Sequence, residues 1–181
     1  MRDEAQLQQT SHPRADAATP ADAGLRGGPR RGAPVQDFNV DRYLGRWYEI
    51  ARLDHSFERG LERVSAEYLV EPDGAIKVIN RGYLKEKNRW KEAEGRALFV
   101  NDPAEAHLKV SFFGPFYSSY VVFELDEEDY QYAFVCGANT NYLWLLARTP
   151  SVEESLKKKF TARAEELGFA ADTLIWVPQS P

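Results

Sequence analysis

Cys136 is the only thiol in this chain of 181 residues, and it is the one side chain that could act as a covalent nucleophile. No basic residue adjoins it to lower its pKa, so it reads as a small, inert core residue rather than a thiolate. A single cysteine also leaves no internal disulfide to form. The three histidines, His12, His55 and His107, fall at spacings that suit no metal site. Gly-x-Ser-x-Gly, Cys-x-x-Cys and a glycine-rich phosphate loop are all missing, which removes nucleophile-elbow hydrolases, dithiol redox enzymes and P-loop nucleotide binders. Asp54-His55 is an acid–base pair in a loop-like stretch. Glu49 keeps step with Trp47 along an extended run, so an inward Glu49 needs a partner or a raised pKa. Asn80 poses the same question. The residues thus offer no catalytic group, no metal ligand set and no cofactor site, and an enzyme reading rests on Cys136, with His55 second.

What must position these groups is a series of short strands. From Gly45 onward apolar residues alternate with period two, interrupted by turn residues about every ten positions. Eight runs are legible, over 45–53, 63–71, 75–83, 90–101, 106–113, 118–126, 130–137 and 142–148. Glu71-Pro72-Asp73-Gly74, Asn101-Asp102-Pro103 and Asp126-Glu127-Glu128-Asp129 supply turn chemistry between them. Short connections make neighbours antiparallel, and closure leaves such a meander without exposed edges. The expected fold is therefore all-β, an eight-stranded antiparallel up-and-down barrel with room for one small ligand. Ten Phe, nine Tyr and four Trp suit a cavity lined by rings, and equally an ordinary aromatic core.

Individual strands differ in how clearly they show their inner face. Leu108, Val110 and Phe112 alternate with Lys109, Ser111 and Phe113, and Tyr142, Trp144, Leu146 and Arg148 share one face of the last strand. Over 118–126, Tyr120 and Val122 compete with Val121 and Phe123. Tyr132, Phe134 and Cys136 oppose Ala133 and Val135, and either set could face inward.

Helical signals lie only at the ends. Asn39 to Leu44 reads as one turn capped by Asn39 or Asp41. After Pro150, Ser151-Val152-Glu153-Glu154 reads as a capping box and Gly168 follows the helix end. Val152, Leu156, Phe160, Ala164 and Leu167 form one apolar stripe, expected against the outer wall of the barrel. Ile175-Trp176-Val177 reads as a short closing strand, with residues 178–181 frayed. Up-and-down order gathers the loops 53–62, 84–90, 113–118 and 137–142 at the end opposite Trp47, which is the expected mouth.

Residues 1–36 hold four Pro, four Gly and seven Ala and no aromatic residue, the composition of a disordered tail before a folded domain over 37–181. The net charge of −5 argues against nucleic-acid binding. No stretch reaches the roughly 18 apolar residues of a spanning helix, and the first thirty residues lack the apolar core of a signal peptide. With the one cysteine inside the domain, a soluble or cytoplasmic location is one expectation.

Tyr43-Leu44-Gly45-Arg46-Trp47-Tyr48-Glu49-Ile50 resembles the first signature of the lipocalin family. Asp54 to Gly60, Lys109 to Tyr117 and Tyr142 to Pro150 are similar to the bacterial outer-membrane lipocalins, a branch itself similar to apolipoprotein D and the plant temperature-induced lipocalins. The resemblance runs over roughly residues 38 to 178. The second family signature is degenerate here, as Asp129-Tyr130-Gln131-Tyr132. The resemblance implies a structural role for Gly45, Trp47 and Arg148, with the guanidinium over the indole at the closed end. It implies Tyr68, Phe112, Tyr120 and Trp144 as ligand-binding wall residues, joined by Val110, and a polar head near His55, Arg59, Phe116, Tyr117 or Tyr142. The implied activity is binding, storage or transport of a single-chain lipid, a fatty acid or a lysophospholipid, in membrane maintenance and without catalysis. Some members of the family are isomerases with a cavity cysteine, which is why Cys136 matters. The implied location is the cell envelope, at the outer membrane or in the periplasm. Peripheral contact with a membrane or a partner, through an exposed aromatic mouth, is the remaining alternative, in a monomer or weak homodimer.

Overall fold

Asn39 opens the ordered sequence of elements by capping a single turn, α1 (Val40–Tyr43), its side-chain oxygen accepting from the Asp41 and Arg42 N–H groups. The computed structural model describes residues 32–180. Gly45 then takes φ +90°, a left-handed conformation that favours glycine, and turns the chain into β1 (Gly45–Arg52). Seven more strands follow: β2 (Leu61–Val70), β3 (Ile76–Leu84), β4 (Arg89–Phe99), β5 (His107–Phe113), β6 (Phe116–Leu125), β7 (Tyr132–Cys136) and β8 (Leu143–Ala147). Each pairs antiparallel with its sequence neighbour, and β1 pairs with both β8 and β2, so the sheet closes. The expected eight-stranded barrel is what forms, and every strand overlaps its expected run.

Closure has one irregularity. β1 pairs with β2 only through Gly45–Tyr48 and then bulges between Glu49 and Ala51. Beyond the bulge its free edge is taken by β9 (Ile175–Trp176). The segment after β9 continues the stitch: Val177 N–H donates to Ile50 O, Arg63 N–H to Pro178 O, and Gln179 Nε2 to both Glu49 O and Val64 O. The frayed end expected from residue 178 is therefore corrected through Gln179, whose amide replaces ladder bonds that β1 and β2 cannot make where they diverge.

Two apolar layers sit on the two faces of this wall. The inner layer centres on Trp47, Tyr68, Val78, Leu108, Val122 and Leu146. The outer layer packs Val121, Phe134, Cys136 and Leu145 under α2 (Glu154–Glu166), through Phe160, Ala164 and Leu167. That is the expected stripe on the expected outer wall. The expected capping box is not made: the N-cap is Glu153, without a side-chain cap bond. Of the segment 1–36, residues 1–31 lie outside the described residues, whereas Val35 is held by backbone bonds to Val122 and Ala106. No helix among the described residues is long and apolar enough to cross a membrane.

Candidate ligand-binding site

The closed end is built first. Trp47 is fully buried and donates its indole N–H to Tyr43 O. The guanidinium carbon of Arg148 lies 3.9 Å above the Trp47 ring. Its three nitrogens donate to the carbonyls of Tyr130 (3.3 Å), Arg46 (2.9 Å) and Arg42 (2.7 Å). Arg148 thus ties the loop between β6 and β7, the start of β1 and the end of α1 into one cap. A Cβ on Gly45 would stand 3.6 Å from Arg148 Nη1, an ordinary contact, so it is the positive φ rather than crowding by the guanidinium that favours glycine here.

Above this cap three tyrosines form a polar floor inside the barrel. Tyr120 OH bonds Tyr43 OH at 2.7 Å and Tyr68 OH at 2.8 Å. Burial raises the pKa of all three, foremost that of Tyr43 and Tyr120, so they stay neutral and share protons. The open orientation of Tyr120 is settled inward, because β6 puts Val121 and Phe123 in the outer layer and then bulges between Val122 and Glu124.

Exposure along the inner face locates the hollow. The floor residues Trp47, Tyr68, Leu108, Val122, Val135 and Leu146 are buried, whereas the inward-packed Val110, Phe112, Tyr120 and Trp144 are only partly buried. On β4, Ala97 is buried, but Gly95 is half-buried and Ala93, two residues nearer the mouth on the same face, is exposed. An inward side chain can meet solvent only if the space beside it is unfilled, so the upper half is open and the lower half is packed. Gly95 lets the Phe112 ring lie flat on β4, since a Cβ there would fall 2.7 Å from that ring.

A buried polar cluster sits at the lid loop between β1 and β2, and sequence reasoning missed most of it. After the bulge Arg52 turns inward, 2% exposed, with Nη1 on Glu49 Oε1 at 2.8 Å and Nη2 on the carbonyls of Glu58 and Leu61. Glu58 folds back from the loop to receive the Trp144 indole N–H at 3.0 Å. His55 Nε2 stands 2.7 Å from the same carboxylate oxygen, off the line of a ring N–H bond. Burial drives Glu49 well above the usual carboxylate range, and the Glu58 charge adds to this against the pull of Arg52. Burial also pushes Glu58 upward, but His55 and the Trp144 N–H outweigh it and hold Glu58 below that range. The two carboxylates are thus shifted in opposite directions, Glu49 toward its neutral form by burial and Glu58 toward its charged form by its hydrogen-bonding neighbours.

The ligand candidates divide accordingly. Tyr68, Phe112, Tyr120, Trp144 and Val110 belong to the inner layer, Tyr68 and Tyr120 at its floor. Tyr142 is half-buried at the mouth, stacked on Trp144 at 6.1 Å and 5.6 Å from His55. Phe116 (79% exposed) and Tyr117 (40% exposed) stand on the β5–β6 tip and are not brought to the interior. Arg59 pairs with Asp54 on the surface. Asn80 shares the inner face with Val78 but has no side-chain role among the described bonds. Cys136 lies in the outer layer under α2, and burial raises its thiol to about 12, so the cavity-thiolate alternative finds no geometry here. His107 bonds Ser119 Oγ, away from the inner layer.

The comparisons agree with this geometry. A family model described as a lipocalin-like domain matches residues 38–179. An outer membrane lipoprotein Blc of Vibrio cholerae is 61% identical over 86% of this chain and 91% of its own length. Temperature-induced lipocalin-1 of Arabidopsis thaliana is 37% identical over 81% and 82% respectively. Insecticyanin of the tobacco hornworm superposes with a TM-score of 0.67 over 85% of this chain and 87% of that one, at 20% identity, which speaks for the fold alone. With the sealed base, the closed barrel and the outer helix all in place, the chain belongs to the lipocalin family.

Proposed function

We propose that this barrel binds and carries a single-chain lipid, a fatty acid or a lysophospholipid, and performs no catalysis on it. Lipocalins are in general binding and transport proteins for small hydrophobic ligands. The observation that carries the reading is the graded exposure of the inner face, with Val110, Phe112, Tyr120 and Trp144 bordering open space above a packed floor. An acyl chain of sixteen carbons buried there would contribute about 12 kcal/mol gross at roughly 0.8 kcal/mol per methylene. Ordering and association offset about half of that, which leaves a useful affinity without any specific polar contact. The head group then lies at the mouth beside His55 and Tyr142. Relatives named as outer membrane lipoproteins support a site of action in the cell envelope, where membrane maintenance is the purpose we propose.

Titration of the protein with single-chain lipids, read by quenching of tryptophan fluorescence, tests the reading. Trp144→Ala should weaken binding by about tenfold, the expected loss of one large buried contact, while circular dichroism stays native. Unchanged affinity in that variant would remove Trp144, and with it the proposed position of the chain.

A further inference from the structure

The large apolar side chains that the fold leaves in water are concentrated at the open end. Phe113 and Phe116 face each other across the β5–β6 turn at 73% and 79% exposure. No charged residue occurs from Val110 to Phe123, so this tip carries no carboxylate that would repel an acidic surface. Across the mouth, Phe57 stands 66% exposed on the lid loop. Two aromatic lips thus flank the only end of the barrel that is open.

The neighbouring hairpin supplies charge. Lys85, Lys87, Arg89 and Lys91 are all exposed around the β3–β4 turn; Lys85 pairs with Glu62 at 3.5 Å, which leaves Lys87, Arg89 and Lys91 with Glu86 at the turn and Glu92 beyond it. In β4 the ladder to β5 ends at Arg96 opposite Ser111, while pairing to β3 continues to Arg89. This hairpin therefore overhangs the β5–β6 tip. Arg89 and Lys91 keep the inner-face parity of Ala97, which turns them toward the mouth axis. The cationic overhang is a local reversal in a chain of net charge −5.

We propose that the open end docks on an anionic lipid surface, with Phe57, Phe113 and Phe116 entering the interface and the β3–β4 hairpin meeting acidic head groups. Protruding rings on a convex tip find complementary pockets only in a shaped partner, whereas a lipid interface deforms around them. Cations on a hairpin that projects beside and beyond exposed aromatics are the pairing that an acidic membrane surface attracts. The docking builds on the carrier reading in one respect, since it places the open barrel where single-chain lipids are released.

Flotation of the full chain with vesicles of mixed phosphatidylglycerol and phosphatidylcholine is the test. The chain should rise with the anionic vesicles, far less with pure phosphatidylcholine, and less again at high salt. The double variant Phe57→Ser, Phe113→Ser should lose about tenfold in partitioning per ring while keeping its affinity for a single-chain lipid added in solution. Lys87→Glu with Arg89→Glu should abolish the preference for anionic vesicles. A full chain that stays in the soluble fraction, or a double phenylalanine variant that floats unchanged, overturns the proposal. So does a result in which the phenylalanine changes only break a dimer seen in sedimentation, which would make the lips a contact between two copies. A chain that floats with an empty barrel would keep the docking and sink the carrier reading, and a loaded barrel that never floats would do the reverse.

Discussion

Arg148→Ala is the perturbation whose size follows most directly from the geometry. The guanidinium makes two short bonds to carbonyls, at 2.7 and 2.9 Å, a weaker third at 3.3 Å, and lies over the Trp47 ring at 3.9 Å. Charge-assisted bonds are worth up to about 3 kcal/mol each when buried, but this side chain is half in solvent, so about 1 kcal/mol apiece for the two short ones is the fair value. The third bond and the ring contact add about 1 kcal/mol together. The loss of about 3 kcal/mol corresponds to a Tm lower by about 9 °C for a domain of this size. Arg148→Lys should recover little of this, because an ammonium cannot fork to three carbonyls. Single-chain lipid affinity should stay within about twofold, since the cap lies beyond the tyrosine floor from the open half. Thermal unfolding followed by near-UV circular dichroism, paired with lipid titration, reads both. A Tm shift below about 2 °C, or a large loss of affinity with little loss of stability, would refute the assignment of the closed end.

The lid cluster and the buried thiol give the remaining expectations. Glu58 has a folded pKa below its ordinary value, so its stabilising effect is complete above the ordinary carboxylate range and is lost as pH falls through the folded pKa. Glu58→Gln should therefore cost about 2 kcal/mol at neutral pH, and less in acid, by denaturant midpoint. Glu49 is shifted the other way: the folded protein holds a proton that the unfolded chain has released, so stability falls as pH climbs from the ordinary carboxylate range to its folded pKa. Glu49→Gln should accordingly gain on the unmodified protein as pH rises through that window, and a parallel pH profile for the two would contradict the assignment. Cys136, with its thiol raised to about 12 and buried beneath α2, should react with a thiol reagent at pH 8 only on unfolding. Rapid labelling of the native protein would place it elsewhere.

How far the sequence was legible depended on whether a residue's neighbours alternate regularly. Leu108, Val110 and Phe112 fixed the inner face of β5, and the stripe from Val152 to Leu167 fixed the side on which α2 packs. The same parity failed at bulges. Between Glu49 and Ala51, β1 shifts register, which is why Arg52 points inward against simple alternation and meets Glu49. Glu58 carried no signal because a loop residue has no period, and only the folded path of 53–60 brings it under Trp144. Phe116 and Tyr117 matched the family pattern but stand on a hairpin tip past the end of the wall. Gln179 was illegible because its partners are backbone carbonyls, those of Glu49 and Val64, exposed only by the splitting of β1 from β2.

Native mass spectrometry of the purified protein, followed by extraction and identification of whatever travels with it, tests the central claim most directly. The account predicts a single-chain lipid at near one per chain, displaced in the Trp144→Ala variant. A barrel that is always empty, and that shows no fluorescence change on titration with fatty acids or lysophospholipids, would contradict it.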